Sequence, residues 1–170
     1  GRRAAGPRAP ARLRRMPPRV RVSVAGALPH EEGGLATLSR RSLERLLRRA
    51  ALATFAAEGV TRGELSIALL SDAAIAELNH RYLGHTGPTD VISFALYEGD
   101  EAPVGDVYIG YQQARRQAAA LGVPEAEELA RLAIHGTLHV LGYDHPEGPG
   151  RVRSRMWKTQ ERILREVMGQ

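Results

Sequence analysis

Hydrophobic and polar positions follow two different periods along this chain, and the change of period marks the predicted elements. Residues 19–25 alternate between apolar and polar side chains, as expected of a strand with one buried face. Apolar-rich runs at 64–70, 90–96 and 106–111 predict three further strands. The segment between the last two runs is a short turn rich in acidic residues, Gly and Pro, which predicts a hairpin.

Between and after these strands, apolar residues recur every three or four positions, which predicts helices. The predicted helices cover 39–57, 72–82, 111–121, 125–141 and 151–168. Ser39 is a suitable N-cap for the first helix, and Ser71 or Asp72 for the second. The order β-α-β-α-β-β-α-α-α predicts a single α/β domain with a mixed, mostly parallel four-stranded sheet covered by about five helices. If the first two strands pair, the right-handed crossover rule makes them parallel.

Charge is distributed unevenly between the N-terminal segment and the rest of the chain. The 170 residues include 24 Lys+Arg and 19 Asp+Glu, but residues 1–15 hold six Arg and no acidic residue. We therefore expect a basic tail over 1–18 and a folded domain over 19–170, so the high pI does not by itself indicate a nucleic-acid binder. We interpret the tail as a segment upstream of a start at Met16. A transit peptide and a nucleic-acid-binding arm are the alternatives.

Composition excludes several classes of protein and site. The absence of Cys excludes disulfides and thiolate metal ligands, so a transition metal would have to bind His or carboxylate side chains. The longest apolar runs are too short to cross a bilayer. We therefore expect a cytoplasmic protein without a membrane partner.

The candidate chemistry is concentrated in the segment HGTLHVLGYDH at 135–145. His135 and His139 are four residues apart on a predicted helix, so both imidazoles project from one face. Gly142 permits a turn after the helix, which allows His145 to return as a third ligand. Three neutral imidazoles leave a fourth position for water, the arrangement of a catalytic zinc site, so we expect one Zn²⁺ per chain.

The spacing of the three histidines is also that of the metzincin proteases, but the second position of the motif differs. Those proteases require Glu there as the general base, and this chain has Gly136. The sequence therefore retains the predicted metal ligands without the peptidase base. A zinc metallopeptidase of another mechanism remains an alternative.

The same segment resembles the signature H-G-x-L-H-L-x-G-Y-D-H of the YbeY family of bacterial rRNA-maturation endoribonucleases, with Val140 in place of a usual Leu. Further segments at 78–94, 105–106 and 156–164 resemble other family motifs. The resemblance, which covers about 19–168, implies a zinc-like ion on His135, His139 and His145. It also implies hydrolysis of single-stranded rRNA precursor at the 16S rRNA 3′ end, a role in ribosome quality control, and contact with small-subunit components and an assembly GTPase. DNA is not expected as a partner.

One position departs from the family pattern. The family commonly has Arg directly after Tyr in its YRG motif, and this chain has Leu83 there. Arg81 and His85 flank that position, and we name both as candidate catalytic residues that supply positive charge to a phosphate, with Arg131 as a more distant source. Because of this departure, a second function remains an alternative: a non-catalytic ribosome assembly factor that is stabilised by its metal ion.

Several polar residues have two open interpretations. Asp144 either orients a metal ligand or caps the turn, and Thr89 and Ser93 either line the pocket or hydrogen-bond within the strand edge. A basic stripe on the first helix predicts a solvated face, with an RNA-phosphate contact as the alternative. This stripe consists of Arg41, Arg45, Arg48 and Arg49.

Overall fold

A computed structural model describes residues 17–24, 39–144 and 154–170 of the chain. Within these ranges the elements are β1 (Arg19–Val24), α1 (Arg40–Ala57), β2 (Glu64–Leu70), α2 (Asp72–Leu83), β3 (Val91–Ala95), β4 (Val104–Gly110), α3 (Tyr111–Leu121), α4 (Glu125–Val140) and α5 (Arg155–Met168). Their order is the predicted one. The predicted tail lies outside the described residues except for positions 17 and 18.

The four strands form one sheet in the order β1-β2-β4-β3. β1 and β2 are parallel, as are β2 and β4, whereas β3 and β4 are antiparallel. The predicted hairpin and the mixed, mostly parallel α/β domain are therefore confirmed. The hairpin is oriented so that β4 is inserted beside β2 and β3 becomes the edge strand.

The core lies between one face of the sheet and the helices α1, α4 and α5. Alternate residues of β2 point into it, and Leu65, Ile67 and Leu69 are almost fully buried. Val107 of β4 points to the same side, where it lies against Gly136 of α4. The next residue, Tyr108, points to the opposite face and lines a groove with α2. The sheet therefore separates α2 from α4.

The helix ends follow the predicted capping chemistry. Ser39 and Ser71, both predicted N-caps, each accept a hydrogen bond from a backbone N–H in the first turn of the helix that follows. Ser154, which was not predicted as a cap, does the same for α5, so this helix begins at Arg155 rather than at position 151. Gly84 ends α2 in the left-handed conformation, with φ of 67°. Because α2 continues through Leu83, it is one residue longer than predicted. No helix of the described ranges is both long and apolar enough to cross a membrane.

Gly136 allows α4 to approach the sheet closely. A Cβ atom at this position would lie 2.5 Å from Cγ1 of Val107 and 3.0 Å from Oγ of Ser93. The Ser93 hydroxyl also donates a hydrogen bond to the Gly136 carbonyl at 3.1 Å. Of the two interpretations of Ser93, the structure thus shows structural hydrogen bonding. The histidine-bearing helix is positioned by a contact that only glycine permits.

We expect Gly136→Ala to destabilise the protein although alanine is the better helix former. Overpacking costs about 1–3 kcal/mol, whereas replacing glycine within a helix gains roughly 1 kcal/mol. Urea unfolding of a double-mutant cycle with Val107→Ala measures the effect, because the smaller residue removes the contact. An equal change in stability in both backgrounds would contradict a clash with Val107.

Candidate functional site

Two of the three predicted ligands lie side by side on α4. The ring centroids of His135 and His139 are 4.7 Å apart with an interplanar angle of 73°, and both side chains are half-buried. Leu129, Ala133 and Val140 on the other side of the helix are buried in the core. Helix α4 therefore has a core face and, on the opposite side, a face that carries both histidines.

The third predicted ligand, His145, lies outside the described residues and stays a prediction. Gly142, three residues before it, has a φ of 99° and ends the helix with a turn. Within the described ranges, which leave out His145, no group of three His, Asp or Glu side chains converges as a metal site. The structure thus brings together the pair on α4 and does not test the complete ligand set.

Gln160 of α5 fixes the orientation of His135. This glutamine is 1% exposed, and its Oε1 lies 2.7 Å from Nδ1 of His135. Its Nε2 donates to the Glu161 carboxylate at 3.1 Å, which fixes the orientation of the amide because a carboxylate only accepts. Nδ1 of His135 is therefore the protonated nitrogen, and Nε2 carries the lone pair.

This arrangement fits a bound zinc ion. A metal-ligating histidine usually donates its second ring N–H to an oxygen acceptor, as His135 donates to Gln160. The adjacent His139 contributes a second imidazole at the four-residue spacing that one ion requires. Neutral imidazole nitrogens without thiolates suit zinc and related borderline metals.

Arg131 of α4 is held by carboxylates rather than exposed for a phosphate. Its guanidinium contacts Glu128, lies 3.1 Å from a carboxylate oxygen of Glu161 and 3.7 Å from one of Glu127. The side chain of Arg131 is 14% exposed and that of Glu128 is 4% exposed. The residue is therefore part of a buried ion-pair cluster, which leaves it poorly suited to the role of distant phosphate-binding arginine.

Burial and neighbouring charges act in opposite directions on the pKa values of Glu128 and Arg131. Burial raises the pKa of Glu128, and Arg131 opposes this rise without cancelling it. Burial acts to lower the pKa of Arg131, but hydrogen bonding and Coulombic attraction from Glu161, together with Glu128, outweigh it and raise that pKa. The Glu128 carboxylate thus depends on Arg131 for its stability in the ionised form.

Asp90 connects the loop before β3 to helix α3. Its Oδ1 accepts from the backbone N–H of Val91 at 2.8 Å, and its Oδ2 accepts from Nε2 of Gln117 at 3.2 Å. The Thr89 hydroxyl lies 3.4 Å from the same Oδ1. Thr89 thus contacts the neighbouring carboxylate at the edge of the sheet.

A cleft of about 410 Å³ lies beside His135, between α3, α4 and α5. Its lining includes Asp90, Gln117, Glu128, Trp157 and Gln160. Sequence reasoning did not single out Asp90, Gln117, Trp157 or Gln160 as site residues. Asp90, Trp157 and Gln160 lie within segments 78–94 and 156–164. The resemblance of these segments to family motifs was the only indication in the sequence that these residues belong to the site.

The structure places Arg81 away from the histidine pair. Because α2 continues through Leu83, the side chain of Arg81 is rotated about 200° around the helix axis from that of Leu83, where the family commonly has Arg. It lines the groove beside Tyr108, on the face of the sheet opposite α4. His85 is exposed in the loop that leads to Asp90, and its backbone N–H donates to the Asn79 carbonyl.

Two members of the basic stripe on α1 bind backbone carbonyls. Arg48 donates to the carbonyl of Val20, and Arg49 donates to that of Val167 at 2.8 Å. These two arginines therefore connect α1 to β1 and to α5. Asp144, at the end of the described turn, is exposed.

The chain matches known proteins over most of its length. The sequence model of the family described as Endoribonuclease YbeY matches residues 31–168. The protein named Endoribonuclease YbeY from Moorella thermoacetica is 45% identical over 138 residues, which cover 74% of this chain and 85% of that protein. The protein of the same name from Desulfitobacterium hafniense is 38% identical over 148 residues, covering 81% and 93% respectively.

A solved structure agrees with the fold. The solution structure of TM1509 from Thermotoga maritima has a TM-score of 0.58 and 26% sequence identity, and the match covers 88% of this chain and 89% of that one. The family match spans the sheet from β2 onward, α4 with its histidine pair, and α5 with Gln160. The chain therefore belongs to the YbeY family of endoribonucleases, hydrolases that cleave RNA phosphodiester bonds.

Proposed function

We propose that this protein is a zinc-dependent endoribonuclease that cleaves single-stranded rRNA precursor during ribosome maturation, at the 16S rRNA 3′ end. The observation that carries the proposal is the His135–His139 pair on α4, with Nδ1 of His135 held by Gln160. Family membership supports RNA as the substrate. The family resemblance also supports small-subunit components and an assembly GTPase as partners, and a role in ribosome quality control.

His135, His139 and His145 would hold the zinc ion. When bound, zinc supplies Lewis acidity and lowers the pKa of water. The protein supplies the positions of its ligands: Gln160 keeps the lone pair of His135 on Nε2, and Gly136 lets α4 pack closely on β4. Gly136 also has no side chain to accept a proton, so the base that a metzincin peptidase needs is missing from this position.

An RNA-cleavage assay with defined metal content tests the proposal. Metal-free protein should leave a labelled single-stranded RNA intact, and one equivalent of Zn²⁺ should restore cleavage. The same sequence in a duplex should resist, and an rRNA precursor should be cut at its 3′ end. A folded, zinc-loaded protein that cuts no RNA would refute the proposal, and cleavage of an unfolded protein substrate would favour the peptidase.

We expect Gln160→Leu to weaken zinc binding about 10- to 100-fold, because removing an orienting partner of a metal ligand typically has this effect. A chelator-competition titration measures the change directly and does not depend on RNA cleavage. Gln160→Glu retains an acceptor and should keep most of the affinity. Gln113→Leu is the matched control, because Gln113 binds Arg116 on the surface. Equal zinc affinity in Gln160→Leu and Gln113→Leu would exclude the positioning role.

The charge that the family places at position 83 must come from another group if catalysis needs it. We expect His85→Ala to reduce RNA cleavage about tenfold to a thousandfold, the range for one lost charge-stabilising donor. Arg81→Ala should have the smaller effect, because Arg81 lies on the α2 side of the sheet. Zinc content should be unchanged in both variants, and Leu83→Arg should maintain or raise activity. Full activity of the double variant would show that neither residue compensates.

A further inference from the structure

The cleft beside His135 combines an aromatic wall with polar groups. Trp157 of α5, Leu132 of α4 and Leu121 of α3 supply large apolar side chains, while Asp90 and Gln117 supply polar ones. Its volume of about 410 Å³ falls in the range of roughly 300–1,000 Å³ that is typical of small-molecule sites. The cleft can therefore accept one flat organic group next to the catalytic histidines.

The charges around the cleft argue against a phosphate as its occupant. Asp90 and Glu128 line it with carboxylates, and Arg131, the one arginine among the described residues of its wall, is already bound by Glu128 and Glu161. A polyanion would be repelled from such a surface, whereas a neutral ring with N–H donors would be attracted. The hydrogen-bond pattern thus selects a base rather than the sugar-phosphate backbone.

We propose that this cleft is a nucleobase subsite that receives an unpaired base next to the scissile phosphate, with Trp157 as the stacking partner. Proteins that recognise single-stranded RNA commonly stack its splayed bases on aromatic side chains and read their edges by hydrogen bonds. Carboxylates accept hydrogen bonds from exocyclic amino groups, as Asp and Glu do from N4 of cytosine. The subsite therefore prefers cytosine, adenine or guanine to uracil. This inference rests on the proposed function for its substrate class.

Trp157 provides a direct probe, because it is the only tryptophan in the chain. Short oligo(C) and oligo(U) are titrated into the metal-free His139→Ala protein, which should not cleave them and in which the residues lining the cleft are unchanged. We expect saturable quenching of the fluorescence by both, with oligo(C) bound about tenfold more tightly than oligo(U). No fluorescence response, or equal affinity for the two, would overturn the inference.

Substitutions locate the binding in the cleft. Anisotropy of labelled oligo(C) should show about tenfold weaker binding to Trp157→Ala, while Trp157→Phe keeps most of the affinity. Asp90→Asn should reduce the preference for C over U. Leu96→Ala, which removes an exposed apolar side chain that does not line the cleft, is the control. Thermal unfolding confirms that each variant is folded, and unchanged affinity in a folded Trp157→Ala protein would also overturn the inference.

Failure of the subsite and failure of the proposed function give different results. If the wild type cuts no RNA but the metal-free protein binds oligo(C) through Trp157, the subsite stands and the catalytic proposal falls. If the wild type cuts RNA with the same base preference as Asp90→Asn, and Trp157→Ala binds oligo(C) as tightly as the wild type, the subsite falls and the catalytic proposal stands.

Discussion

His139→Ala should lose RNA cleavage by at least a hundredfold while remaining folded. Removing a group that only orients a metal ligand costs about 10- to 100-fold, so losing a ligand itself should cost at least as much. The substitution leaves the core intact because His139 is half-buried and alanine is a better helix former. Zinc bound per chain should fall well below the one equivalent expected for the wild type.

Metal analysis, cleavage assays and circular dichroism separate the possible causes of this loss. His80→Ala is the matched control, because His80 lies exposed in the last turn of α2. It should retain zinc, activity and melting temperature. A His139→Ala protein that keeps both its zinc and its RNA cleavage would contradict the assignment of His139 as a ligand.

The fold could be predicted largely because the two hydrophobic periods are unambiguous in this chain. Alternation in β1 and the buried run of β2 predicted their positions within about one residue, and serine N-caps marked where helices begin. The insertion of β4 between β2 and β3 could not be predicted. Strand order depends on how α1 and α4 pack across the sheet, and these contacts join residues far apart in sequence.

The histidine pair was predictable for a local reason, because a four-residue spacing on a helix determines which side chains meet. Gln160 was not, since its contact with His135 spans 25 residues and depends on the packing of α5 against α4. The same applies to Asp90, whose side chain meets Gln117 of α3. The four-residue spacing between Arg131 and His135 puts both on one face of α4, but only the tertiary structure shows that carboxylates of two helices surround Arg131.

Arg131→Met should be the most destabilising single change in the site, because it leaves buried carboxylates without their positive partner. Breaking a buried ion pair on one side costs about 3–5 kcal/mol. Glu128 would be most affected, since it is 3% exposed and its carboxylate is bound by Arg131. Urea unfolding near neutral pH measures the loss. Arg116→Met, which breaks an exposed pair with Asp72, should change stability little.

The loss in Arg131→Met should depend on pH in a defined direction. Burial raises the pKa of Glu128 in the wild type, and removing Arg131 removes the main opposing effect, so the folded-state pKa rises further. A carboxyl group with a raised pKa favours the folded state below its unfolded pKa, and this stability is lost as pH rises through the folded pKa. The difference from the wild type should therefore be smaller near pH ~5 than near pH ~7.5.

Adding Glu128→Gln to Arg131→Met should recover part of the stability at the higher pH. A deficit that does not vary with pH and is not reduced by Glu128→Gln would mean that lost packing of the arginine side chain, rather than unpaired carboxylates, destabilises the variant.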